Sequence, residues 1–132
     1  MPVSTPPEHT PRESFIHRAS NKQEVWFNEG CYITEWLNDP ADPAVSIARA
    51  RVLPGTSTRW HHLPALRERY VVLEGEGEIE VAGLPPSTIS AGDCVSIAQG
   101  AAQRIHNRGH VDLIFLAICT PRFEPQSYVD GR

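Results

Sequence analysis

What most constrains this chain is how often glycine and proline interrupt short runs of alternating side chains. Between Cys31 and Thr120, apolar and β-branched residues recur in runs of roughly 4–10 residues, the length of ordinary strands. CYITEWL (31–37) is β-branched and aromatic, and AVSIARARVL (44–53) alternates. Further strands are expected over 57–63, 67–73, 78–81, 87–90, 94–98 and 102–107. The run from Val111 to Thr120 is apolar on both faces, as a central strand covered on each side would be. Asn38–Pro43, Pro54–Gly55, Glu74–Gly77, Gly83–Pro86, Ala91–Asp93 and Arg108–Gly109 supply the turns. No repeat and no amphipathic helix interrupts this rhythm. The pattern predicts an all-β sandwich or barrel.

At 132 residues the chain fits one domain with one core, and 40% hydrophobic content is ordinary for a globular protein. A net charge of -4 and a pI near 5.8 give no electrostatic reason to expect nucleic acid. No apolar run approaches the ~20 residues of a membrane span, so no membrane partner is expected. MPVSTPPEHTPRES lacks the apolar core of a secretory signal. Cys31, Cys94 and Cys119 are isolated and odd in number, which suits a reducing, cytoplasmic setting. Residues 1–14, with Pro2, Pro6, Pro7 and Pro11, predict a flexible arm. Residues 15–132 then form the folded domain.

The stretch Gly55–Gly77, GTSTRWHHLPALRERYVVLEGEG, carries the chemistry. Strand alternation places Arg59, His61 and Leu63 on one face, and Glu68, Tyr70 and Val72 on one face beyond the Leu63–Leu66 bend. If these strands pair, the imidazole of His61 and the carboxyl of Glu68 point into the same interior. Arginine suits bidentate capture of carboxylate or phosphate, so an inward Arg59 would favour an anionic ligand. Arg49 and Arg51 are expected instead on a solvated sheet face, paired with acids.

Gly55, five residues, His61, then Glu68 and Gly75 resembles the first motif of the cupins. Gly92, Gly100 and Asn107 resemble the second. The resemblance covers about residues 30–120 and implies a cupin-type jelly-roll β-barrel, a homodimer, and a metal or small-molecule site inside the barrel. It also shows three departures: Leu63 and Gln103 stand where the family has histidines, and Ala98 stands where it has proline. The implied metal set is therefore His61, Glu68 and Gln103, with His62 and His106 as substitutes if a β-bulge turns either inward. The candidate ion is divalent Mn, Fe, Ni, Zn or Cu. Arg59, Tyr70 and Gln103 are the ligand-binding candidates, and Glu68 and His61 the catalytic ones, with Glu68 as general base. The implied chemistry is that of an isomerase, lyase or oxygenase acting on a small polar or anionic molecule. Two other readings stand beside it: a metal-free sensor or storage module, and a structural polar network of His61, Glu68 and Gln103.

Overall fold

The computed structural model describes residues 13–132. The arm expected over 1–14 lies almost wholly outside the described residues. Short alternating segments with no helical period become strands: β1 (Val25–Phe27), β2 (Cys31–Leu37), β3 (Ser46–Val52), β4 (His61–His62), β5 (Arg67–Glu74) and β6 (Glu76–Val81). They continue as β7 (Ser87–Ser90), β8 (Cys94–Ile97), β9 (Gln103–His106), β10 (Leu113–Thr120) and β11 (Val129–Asp130). Single 3-10 turns cover Ala19–Asn21 and Pro125–Ser127. Among the described residues no helix is long and apolar enough to cross a membrane.

The strands form two antiparallel sheets, ordered β1-β2-β3-β10-β5-β8 and β11-β4-β9-β6-β7. This is the jelly-roll arrangement, in which chain neighbours repeatedly fall in opposite sheets. Alternation decides what lies between them. Val52, Val72, Ile97, Ile105, Leu113 and Phe115 point inward and are buried. Each contributes roughly 1.5–3 kcal/mol of burial relative to exposure. Their outward neighbours are charged: Glu78, Glu80, Arg104 and Arg108 pair across the second sheet. Arg51 bonds Glu24 at 2.7 Å and Asp112 at 3.2 Å, while Arg49 reaches Glu24 at 3.4 Å. The arginines of β3 thus lie on an ion-paired outer face, as their parity requires.

Two sequence expectations change. The strand expected over 57–63 shrinks to His61–His62, with Ser57 meeting His106 only in an isolated bridge. The backbone of this segment is divided between two partners: Thr58 donates to Ile105 O at 2.9 Å and Arg59 donates to Glu29 O. The tail, which shows no period, nevertheless closes the second sheet, as β11 pairs with β4 through Val129–His62 and Asp130–His61.

The motif asparagine is structural. Asn107 is buried, donates to Val52 O and Val111 O at 2.9 and 2.8 Å, and accepts from Gly109 N at 3.0 Å. Two motif glycines separate backbone strain from steric overlap. Gly55 (φ 74°) and Gly75 (φ 79°) both occupy the left-handed region. A Cβ on Gly55 would meet nothing within 4 Å, whereas one on Gly75 would lie 2.5 Å from Asp112 O. Gly55→Ala is expected to cost about 1 kcal/mol and Gly75→Ala about 3 kcal/mol or more in urea unfolding. Equal costs would show that conformation alone governs both.

Candidate functional site

A cavity of about 660 Å³ opens between the β1–β2 hairpin, the inner faces of β3 and β10, and the tail segment 122–128. Its walls are mainly apolar, including Val25, Phe27, Ile33, Leu63 and Phe123. Glu29, His61 and Glu68 also line it. Topology brings these three together: Glu29 sits in the β1–β2 turn, Glu68 on β5 of the first sheet, and His61 on β4 of the second.

The imidazole of His61 is fixed at both nitrogens. Nδ1 lies 2.7 Å from the Arg59 carbonyl, which can only accept, so Nδ1 carries the hydrogen. Nε2 is left with a lone pair, 3.1 Å from Glu29 Oε2. That contact needs one shared proton, held either as a carboxylic acid donating to neutral imidazole or as imidazolium beside carboxylate. Burial favours the first form: it pushes His61 below its ordinary value and raises Glu29 to about 7. Tyr128 stacks on the His61 ring, with centroids 5.2 Å apart and planes at 21°.

Glu68 is buried with Gln103, whose Nε2 donates to Oε1 at 2.8 Å. Gln103 Oε1 is buried and has no hydrogen-bond partner among the described residues. Burial, reinforced by the charge of Glu29, raises Glu68 to about 7 against the weaker pull of His61 and Gln103. Thiols are the other donors: Cys31 Sγ to Glu29 Oε1 at 3.4 Å, and Cys119 Sγ to Glu68 Oε2 at 3.6 Å. Both thiols are pushed well up by burial and by these carboxyls, so they stay protonated.

The structure separates the other candidates. Arg59 does not enter the barrel: its side chain is 61% exposed and pairs with Asp130 outside. The irregular backbone before His61 breaks the parity that would have turned it inward. Tyr70 is buried, packs on Phe115 at 4.4 Å between ring centroids, and does not line the cavity. His62 donates from Nδ1 to Gly131 O at 3.0 Å. His106 faces the outer side of the second sheet, with Nδ1 bonded to Ser57 Oγ and Nε2 to Glu80 Oε2 at 2.8 Å. Neither histidine is turned inward by a bulge. Sequence reasoning missed Glu29 and Tyr128. Glu29 precedes Gly30, so its carboxyl reads locally as a turn residue, and Tyr128 lies in a stretch without period.

The cupin domain family model matches residues 48–119. The chain is a cupin. No curated protein sequence matches it. Among solved structures, the oxalate decarboxylase of Lactobacillus farciminis, solved as a formate complex, is 21% identical with a TM-score of 0.72 over 84% of this chain. The chain spans only 34% of that protein's length. A protein from Thermotoga maritima described as a predicted oxalate decarboxylase is 26% identical, with a TM-score of 0.65 over 81% of this chain and 99% of the other. Pac13, described as a unique nucleoside dehydratase, is 14% identical, with a TM-score of 0.73 over 91% of this chain and 92% of its own.

A divalent metal is plausible from the fold family, so this cupin's own donors decide the fit. Leu63 offers no lone pair, Gln103 turns its amide nitrogen to Glu68, and Glu29 occupies the lone pair of His61. Among the described residues no group of three His, Cys, Asp or Glu side chains converges as a metal ion requires. The donor set does not fit a resident divalent ion.

The ionisation of Glu68 should be visible in stability. A folded pKa near 7 against 4.5 unfolded favours the folded state fully below pH 4.5, and that advantage is lost as pH rises through 7. Glu68→Gln keeps an acceptor for Gln103 and removes the ionisation. Relative to wild type it should gain about 3 kcal/mol on going from pH 4.5 to pH 8, read by urea unfolding at both values. The same difference at both pH values would rule out an elevated Glu68.

Proposed function

We propose that this cupin binds a small organic molecule in its cavity and moves protons on it by general acid–base catalysis, of the kind that drives eliminations and isomerisations. One observation carries the reading. A buried carboxyl, Glu68, and a half-buried one, Glu29, both raised to about 7, flank an imidazole whose lone pair accepts from Glu29 on the wall of the cavity. Each charge disfavours the other, so near neutral pH the pair ionises one group at a time. One carboxyl is then an acid while the other is a base, the arrangement that proton transfer in both directions needs.

In this scheme Glu68, the more deeply buried carboxyl, takes a proton from carbon. Glu29 returns one, directly or through His61 Nε2, to the departing or rearranging oxygen. The Arg59 carbonyl and Tyr128 hold the ring so that its lone pair cannot turn away. The likeness to a protein described as a nucleoside dehydratase supports the reading, since dehydration requires this acid and base pairing.

The test is washout of carbon-bound hydrogen in D2O, followed by proton NMR over β-hydroxycarbonyl and ketose compounds. At least one compound should exchange, the rate should fall roughly 10²–10⁴-fold in Glu68→Gln, and a chelator should leave it unchanged. Exchange that survives in Glu68→Gln, or that vanishes on chelation and returns with metal, would overturn the reading. A compound that binds but never exchanges would identify a non-catalytic binding module.

A further inference from the structure

The cavity is short of positive charge. Its lining carries four carboxyl groups, Glu29, Glu35, Glu68 and Glu124, against one guanidinium, Arg122. Arg122 is already committed: Nη2 bonds Glu124 Oε1 at 2.8 Å and Nη1 bonds Asn38 Oδ1 at 2.9 Å. The opposite end, at Glu29 and Glu68, has no cation among the described residues, since burial disfavours the charged form of His61 and Arg59 lies outside. The thiols of Cys31 and Cys119 are weak donors there and already bond the two carboxyls. The His61 lone pair already accepts from Glu29, and Gln103, with its Oε1 unpartnered, bonds Glu68 without lining the cavity.

The walls supply a second, independent observation. Phe27 stands edge-on to Phe123, with centroids 6.3 Å apart at 87°, and edge-on to Tyr128 at 5.2 Å and 82°. Tyr128 in turn stacks on His61. The rings therefore run without a break from the tail wall to the two carboxyls. Aromatic faces attract organic ammonium groups, and such contacts strengthen where water is excluded. A divalent metal ion gains nothing from such walls and needs several converging donors, which this cavity does not provide.

We infer that the ligand is an organic cation: an amine whose ammonium group sits between Glu29 and Glu68 and whose apolar body lies against Phe27, Phe123 and Tyr128. This rests on the cavity being a small-molecule site, as argued above, but not on any chemistry happening there. It replaces the anionic ligand that an inward Arg59 would have selected. The ammonium supplies a counter-charge to both carboxyls, and its N–H groups donate to the oxygens of Glu29 and Glu68. A carboxylate or phosphate placed there would be repelled by whichever carboxyl is ionised and would find no cationic donor among the described residues.

Three probes matched in shape separate the cases: 2-phenylethylamine, 2-phenylethanol and 3-phenylpropanoate, titrated calorimetrically into the full-length protein with chelator present. The amine should bind at least about tenfold more tightly than the carboxylate, with the alcohol between them. Glu29→Gln should weaken the amine about fivefold or more while changing the alcohol less than about twofold, whereas Phe123→Leu, which touches the shared apolar body, should weaken both by similar factors. Thermal unfolding of each variant shows whether it folds, and the alcohol serves as an internal control for an intact cavity. Equal or tighter binding of the carboxylate, or no binding by the amine up to millimolar concentration, would overturn the inference. Strong stabilisation by Mn²⁺ or Zn²⁺ alone would also overturn it, since the missing cation would then be a metal. Amine preference without hydrogen exchange would leave this inference standing and remove the catalytic one. Exchange on a substrate without an amine would do the reverse.

Discussion

Among the described residues, the interior of this barrel holds a buried carboxyl, Glu68, and a half-buried one, Glu29, with no cation beside them, and the character of the site follows from that. Water would solvate each anion far better than the donors provided, which are two thiols and one amide nitrogen. Desolvation therefore outweighs the local hydrogen bonds, and both groups hold their protons up to near neutrality. The same balance explains the cysteines. Cys31 and Cys119 lie against carboxyls in an apolar setting, which makes them weak donors and poor nucleophiles.

The cavity depends on closure between distant parts of the chain. The tail forms one wall because Arg122 N bonds Pro43 O, Phe123 N bonds Ser46 Oγ, and Asn38 Nδ2 bonds Phe123 O. Further on, Gly131 N bonds Trp60 O, and β11 adds a strand beside His61. The ring that stacks on the imidazole and the ring that faces Phe27 thus arrive from more than fifty residues away in the chain. Ordering such a tail costs backbone entropy, and the buried edges of Phe123 and Tyr128 against Leu63, Leu66 and Cys119 offset it.

The departures from the family pattern form one coherent change. Leu63 joins an apolar cluster with Leu66 and Cys119, so that position now contributes wall instead of ligand. Gln103 still lies opposite His61 in the β4–β9 register, but it serves Glu68 as a donor. Glu29, which no motif includes, meets the imidazole nitrogen that a metal would otherwise need.

The order and parity of the strands were legible in the residues themselves. Alternation with a period of two, broken by Gly and Pro, dictates which side chains face inward wherever the strand is regular. His61 and Glu68 were found this way and Gln103 from its place in the motif resemblance, and all three are buried. Arg59 was not, because parity predicts nothing once the backbone leaves the ladder, as it does before His61. Glu29 and Tyr128 could not be assigned from their neighbours, since a turn and an aperiodic tail say nothing local about what they will touch. Local chemistry thus determined the barrel and half of its polar lining. The partner of the imidazole, the closing wall and the sign of the cavity's charge were decided only when segments far apart in the chain came together, because burial and Coulomb interactions depend on distance in space.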